Sequence, residues 1–85
     1  MNPRKILGQV LRGSGNVRFR DFCGLIRAFG FRLDRISGSH HIFVHPNVPT
    51  LVNVQNVGGK AKPYQMRQFL KLVEEYNLQL EDEPS

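Results

Sequence analysis

Three histidines, His40, His41 and His45, fall within six residues of one another and are all that the chain contains. An imidazole titrates near neutral pH and can serve as general acid or general base. Gly38-Ser39 precedes the trio, and such turn residues present backbone N–H groups and a hydroxyl that suit a phosphate. Such groups can act on a phosphodiester, and were the ester RNA no metal would be needed, because the 2′-OH of RNA can attack its own neighbouring phosphorus. The reaction needs a base for the 2′ proton, an acid for the leaving 5′ oxygen and positive charge on the phosphate. Lys60 and Lys62 flank the start of a helix whose N-terminus already favours anions, and Arg35, like Arg32, lies on or beside one face of a strand. These cations are the candidate phosphate contacts, together with Gly38 and Ser39.

Strand geometry separates the three imidazoles. His41 and His45 share a parity but stand about 13 Å apart along a strand, too far to share a metal or a proton path. Their spacing supplies neither the pattern nor the fourth ligand of a usual zinc site. No metal and no cofactor are expected. His40 is read at the turn, outside the strand alternation, with small neighbours that leave room for a phosphate, and it is the acid–base candidate. His41 and His45 are expected to be supporting residues of the strand. The competing roles are ordinary ones: a loop imidazole bonded to a backbone carbonyl for His40, and hairpin punctuation for Gly38 and Ser39. Cys23, beside apolar neighbours and with no fixed basic partner, reads as a small packing residue and not a nucleophile.

The elements that must position these residues follow from periodicity. Phe22, Leu25, Ile26 and Phe29 form one helical stripe, closed by Gly30, which predicts a helix over about Arg18 to Phe29. Phe31 to Ser37 alternates as a strand, His41 to His45 is the second arm of a hairpin ending at Pro46, and Leu51 to Gln55 is a third strand after an Asn47–Thr50 turn. In that strand Val52 and Val54 point one way and Asn53 the other. Pro63 suits the first turn of a helix carrying Met66, Phe69, Leu70, Val73 and Tyr76 on one stripe. Residues 1–16 read as an arm or short helix interrupted by Gly8, residues 17–78 as the functional domain, and residues 79–85 as a frayed acidic tail. The fold class is therefore α+β, an α-β-β-β-α chain with a three-stranded antiparallel sheet and both helices on one face. Phe22, Leu25, Ile26, Phe29, Phe69, Leu70 and Val73 should be buried together, and the other sheet face should be open.

Composition narrows the partner. At 85 residues and 9.8 kDa there is room for one domain. Lys plus Arg number 12 against 7 for Asp plus Glu, a formal net charge of +5. All the basic residues precede Glu74, and the only acids among them are Asp21 and Asp34. A body so basic binds polyanions through counterion release, so nucleic acid is the leading ligand class. No apolar run approaches the roughly 20 residues of a membrane span, there is no signal-peptide core, and one cysteine rules out an internal disulfide. A soluble protein of a reducing cytoplasm is expected.

A helix ending in Gly30-Phe31, a basic strand, and Gly38-Ser39-His40-His41-Ile42-Phe43-Val44-His45-Pro46 together resemble the HicA toxins, small mRNA interferases of toxin–antitoxin systems. The likeness runs on through the Val52 to Val54 strand, the Gly59-Lys60 loop and the helix from Pro63. The resemblance implies a fold like the double-stranded RNA-binding domain, RNA cleavage that depends on the histidine after Gly-Ser, here His40, and neutralisation by a HicB antitoxin. The chain departs from the family in its first 16 residues, at Gln55-Asn56 and at Pro63-Tyr64-Gln65. Two functions stand side by side: a metal-independent endoribonuclease toxin acting on mRNA, or a non-catalytic RNA-binding or antitoxin-binding module of the same fold.

Overall fold

The computed structural model of the protein describes residues 2–81. Its elements are α1 (Pro3–Leu11), α2 (Phe19–Ala28), β1 (Arg32–Ser37), β2 (His40–His45), β3 (Val48–Gln55) and α3 (Pro63–Glu75). The strands form an antiparallel sheet in the order β1-β2-β3. This is an α+β fold consistent with a double-stranded RNA-binding-domain-like arrangement, in which a short helix, one of the two readings of residues 1–16, precedes the expected α-β-β-β-α order.

That short helix is α1. Asn2 caps it, its Oδ1 accepting from the N–H groups of Arg4 at 3.1 Å and Lys5 at 3.4 Å, and Pro3 occupies the first turn, where its missing N–H costs nothing. Ile6 and Val10, one turn apart, are buried in the same core as the rest of the molecule. Capping and burial together offset the ~1 kcal/mol that Gly8 costs inside a helix.

At the end of α2 the N–H of Gly30 reaches the carbonyl of Arg27 and that of Phe31 reaches the carbonyl of Ile26. This paired bonding requires a left-handed residue after the cap, and Gly30 supplies it with φ +94°. The chain leaves directly into β1, so the glycine aims the sheet at the helices. Phe69 of α3 sits among the rings of Phe22, Phe29 and Phe31, at centroid distances of 5.8, 5.6 and 5.6 Å, each edge to face. Phe43, Val52 and Val54 close the same core from the sheet side.

Four expectations need correction. First, β3 begins at Val48 and not at Leu51, so the β2–β3 link is Pro46-Asn47 alone. Pro49 resembles a turn residue, but β3 is an edge strand, where a proline can lie without breaking a ladder bond. Second, His40 is the first residue of β2, opposite Ser37 on one side and Gln55 on the other, and not outside the alternation. Third, Leu70 and Val73 are half-buried. They line a groove with Leu7, Leu11, Leu78 and Leu80 and do not join the fully buried centre. Fourth, residues 79–81 are not frayed: Asn77, at φ +51°, ends α3, Leu80 packs against the core, and the Glu81 N–H donates to the carbonyl of Ala28 at 2.6 Å. The rest of the expected acidic tail, residues 82–85, lies outside the described residues.

Candidate active site

Residues opposite one another in an antiparallel sheet share a face, and neighbours along a strand alternate. Val54 and Val52 are buried under the helices, and they stand opposite His41 and Phe43. His41 therefore faces inward, where its ring meets Phe19 of α2 edge-on at 4.8 Å. His45 meets Phe31 at 4.9 Å, and its Nδ1 accepts from the N–H of Asn47 at 3.0 Å. His40, Ile42 and Val44 alternate with them and belong to the open face. Ile42 is buried yet stands apart from the core cluster beneath the helices, as a central-strand residue covered by its neighbours on the open face should.

That open face has a defined membership. Ser37 and Gln55 flank His40, Arg35 and Asn53 flank Ile42, and Arg32 stands opposite Val44. The β-bulge between Leu33 and Arg35 takes up Asp34 and keeps Arg35 beside Ile42. Arg35 holds the Asp34 carboxylate at 2.6 Å while more than half of its own side chain is exposed. An exposed pair of this kind is worth about 0 to 1 kcal/mol, so the guanidinium can exchange Asp34 for another anion at little cost.

The tip that carries His40 is tied down from three directions. Gly38 has φ +60° while Ser39 has not entered the left-handed region, the pattern of a type II′ two-residue hairpin. Gln55 Nε2 donates to Ser39 Oγ at 3.2 Å, and the N–H of Asn56 donates to the Ser39 carbonyl at 2.9 Å. The N–H of Gln55 donates in turn to Oε1 of Gln65, a buried side chain on α3, at 2.9 Å. His40 itself is half-buried, with Nδ1 2.9 Å from Oδ1 of Asn53. Asn53 lies diagonally across β3 from it, two residues from Gln55. Its open-face position was legible from the alternation of Val52 and Val54, but its meeting with His40 depends on the β2–β3 register, which one strand alone does not reveal.

The candidate cations are dispersed. Lys60 ends a tight turn that starts at Val57 and docks on the start of α2 through a Phe19 N–H to Gly59 carbonyl bond of 2.8 Å. Its ammonium donates to Asn16 Oδ1 at 2.6 Å, over the link between α1 and α2. Lys62 precedes α3, and its ammonium stands 5.6 Å from the Tyr64 ring centre. The structure thus gathers Gly38, Ser39 and His40 at one tip with Arg35 on the same face. It sets Lys60 and Lys62 beyond β3 with their ammonium groups already engaged, and it turns His41 and His45 to the opposite face.

Cys23 is buried on α2, and that burial pushes its thiol up to about 11 against the smaller opposing pull of Arg27. It is a neutral packing group near neutral pH. Among the described residues, no three or more His, Cys, Asp or Glu come close enough together to hold a metal ion. No helix among them is long and apolar enough to cross a membrane.

A family model described as the HicA toxin of bacterial toxin–antitoxin systems matches residues 19–74, from the first residue of α2 nearly to the end of α3. No curated protein and no solved structure matches the chain. The match takes in the whole sheet and the His40 tip and leaves α1 outside.

Proposed function

We propose that this chain, which belongs to the HicA toxin family of bacterial toxin–antitoxin systems, is an endoribonuclease that cuts mRNA with His40 as its acid–base group. The observation that carries the reading is the sorting of the three imidazoles: His41 and His45 pack against Phe19 and Phe31, and His40 alone faces outward, at a hairpin tip built of small residues. In the reaction His40 takes the proton of the 2′-OH as its oxygen bonds to phosphorus. The bond from phosphorus to the 5′ oxygen breaks, that oxygen takes a proton from water, and His40 returns the proton it accepted to solvent, so no net proton is gained or lost. The products are a 2′,3′-cyclic phosphate and a free 5′-OH. Gly38 and Ser39 would receive the phosphate at the tip, Arg35 would steady it from β1, and Lys60 and Lys62 would hold the strand as it runs past β3. His41 and His45 support β2 from behind.

The partner within the toxin–antitoxin pair is proposed to be a HicB-like antitoxin that covers His40 and the open face. A basic, uncovered sheet is the surface such an inhibitor must occupy to stop RNA from reaching the tip. The binding-module alternative draws on one observation: among the described residues, no second imidazole shares the open face.

His40→Ala separates the two readings. The fold and most RNA affinity should persist, because a half-buried residue at a strand end holds little packing energy, while cleavage falls about 10² to 10⁴-fold. EDTA should leave wild-type cleavage unchanged. Purified wild-type protein that binds RNA and leaves it intact would sink the nuclease reading and leave the binding module.

A further inference from the structure

We infer that Asn53 is the positioning residue of the site: its side-chain oxygen holds the hydrogen of His40 on Nδ1, leaving Nε2 bare and turned outward as the atom that accepts the substrate proton. This rests on the reading of His40 as the acid–base group, but its structural half stands without it. The contact is 2.9 Å, from Nδ1 of His40 to Oδ1 of Asn53. An amide oxygen only accepts, so the bond exists only if Nδ1 carries the hydrogen. Left to itself, a neutral histidine side chain favours the other form, with the hydrogen on Nε2. Asn53 therefore reverses the intrinsic preference, and it reverses it in the direction a general base needs.

The placement of Asn53 points the same way. It sits on an edge strand, exposed, between Val52 and Val54, and asparagine is poorly suited to the middle of a strand. A β-branched residue would serve the sheet better, so strand packing does not account for the amide. The hydrogen bond to His40 does. The surroundings hold both partners still. Gln55, the next open-face residue of β3, is anchored through its backbone N–H to the buried Gln65 and through its side chain to Ser39, the residue before His40. The bond that sets the tautomer is thus braced at both ends, as an orienting group must be for a base whose proton-accepting nitrogen has to point at a fixed place.

The test is the nitrogen spectrum of the imidazoles in protein labelled with ¹⁵N-histidine, recorded at a pH where they are neutral. Wild-type His40 should show the Nδ1–H pattern. Asn53→Val, which removes the acceptor and suits a strand, should let it revert toward Nε2–H. Asn53→Asp, which restores an oxygen acceptor, should return it to Nδ1–H. Cleavage should follow the same order, falling about 10 to 100-fold in Asn53→Val and recovering at least in part in Asn53→Asp, with circular dichroism unchanged throughout. A wild-type His40 in the Nε2–H form, or a tautomer indifferent to Asn53→Val, overturns the inference whatever the activity. An Nδ1–H tautomer that depends on Asn53 in a protein that never cuts RNA would instead retain the positioning bond and defeat the nuclease reading.

Discussion

His40 and His41 are adjacent in sequence and lie on opposite faces of the same sheet, and their fates differ accordingly. His41 is pressed against the Phe19 ring, and its Nδ1 is buried with no hydrogen-bond partner. His40 faces away from the helices, with one nitrogen held by Asn53. The residue type is the same and both residues are half-buried; what differs is the face, with Nδ1 of His41 shut in on the helix side and His40 turned away from the helices. The contrast extends to the faces as wholes. Beneath the helices the sheet offers Phe43, Val52 and Val54 to a dry core; on the other side it offers Arg32, Arg35, Ser37, His40, Asn53 and Gln55. One face holds the molecule together, and the other is free to bind.

The inner face should be the easier to break. Phe69 touches three other aromatic rings and is almost wholly buried, so Phe69→Ala should cost about 3 to 5 kcal/mol, the range for truncating a buried phenylalanine. For a domain of this size that is a large part of its stability. Chemical denaturation is the measurement, and a midpoint within error of wild type would mean that the core is not centred on this residue.

A subtler change at His41 sharpens the comparison with its neighbour. Replacing a buried, unpartnered polar group with an apolar one of similar size is commonly neutral or stabilising. His41→Leu should therefore leave the melting temperature unchanged or raise it, and RNA cleavage should stay within about threefold of wild type. The expectation is opposite to that for His40→Ala, in which the fold is kept and the chemistry is lost. If His41→Leu abolished cleavage in a folded protein, the division of labour between the two faces would be wrong.

Much of this division was legible in the sequence, for reasons that can be located. The stripe of Phe22, Leu25, Ile26 and Phe29 marked α2, because a helix repeats its inner face every three to four residues. Gly30 marked its end because only a residue at ease with positive φ completes the cap. The inward turn of His41 and Phe43 depends on where β2 begins, and there the sequence was ambiguous. Gly38, Ser39 and His40 read together as a turn, and His40 is seen to belong to the strand only once Ser37 and Gln55 are known to lie opposite it. Pro49 misled for a related reason, since a proline that would break an inner strand is harmless on an edge. The bond between Asn53 and His40 joins residues 13 apart in sequence, and no local pattern encodes it.

The smallest expected effect concerns the cations outside both faces. Lys60 and Lys62 follow β3 in the chain, and in the free protein their ammonium groups are occupied, one by Asn16 Oδ1 and the other over the Tyr64 ring. The Lys60 bond is exposed and Lys62 is half-buried, and both contacts are weak, so a phosphate can displace them, but each exchange returns less than a contact made from a free lysine. Lys60→Ala and Lys62→Ala should accordingly lower RNA affinity modestly, reduce the slope of log affinity against log salt by about one each, and leave the cleavage rate of bound RNA unchanged. Salt titrations of binding in the His40→Ala background, where cleavage should be slowest, give those slopes with the least interference from product. If neither slope moved while Arg35→Ala reduced its own, the RNA would be confined to the open face of the sheet, and the turn from Val57 to Lys60 would serve only to dock β3 against α2.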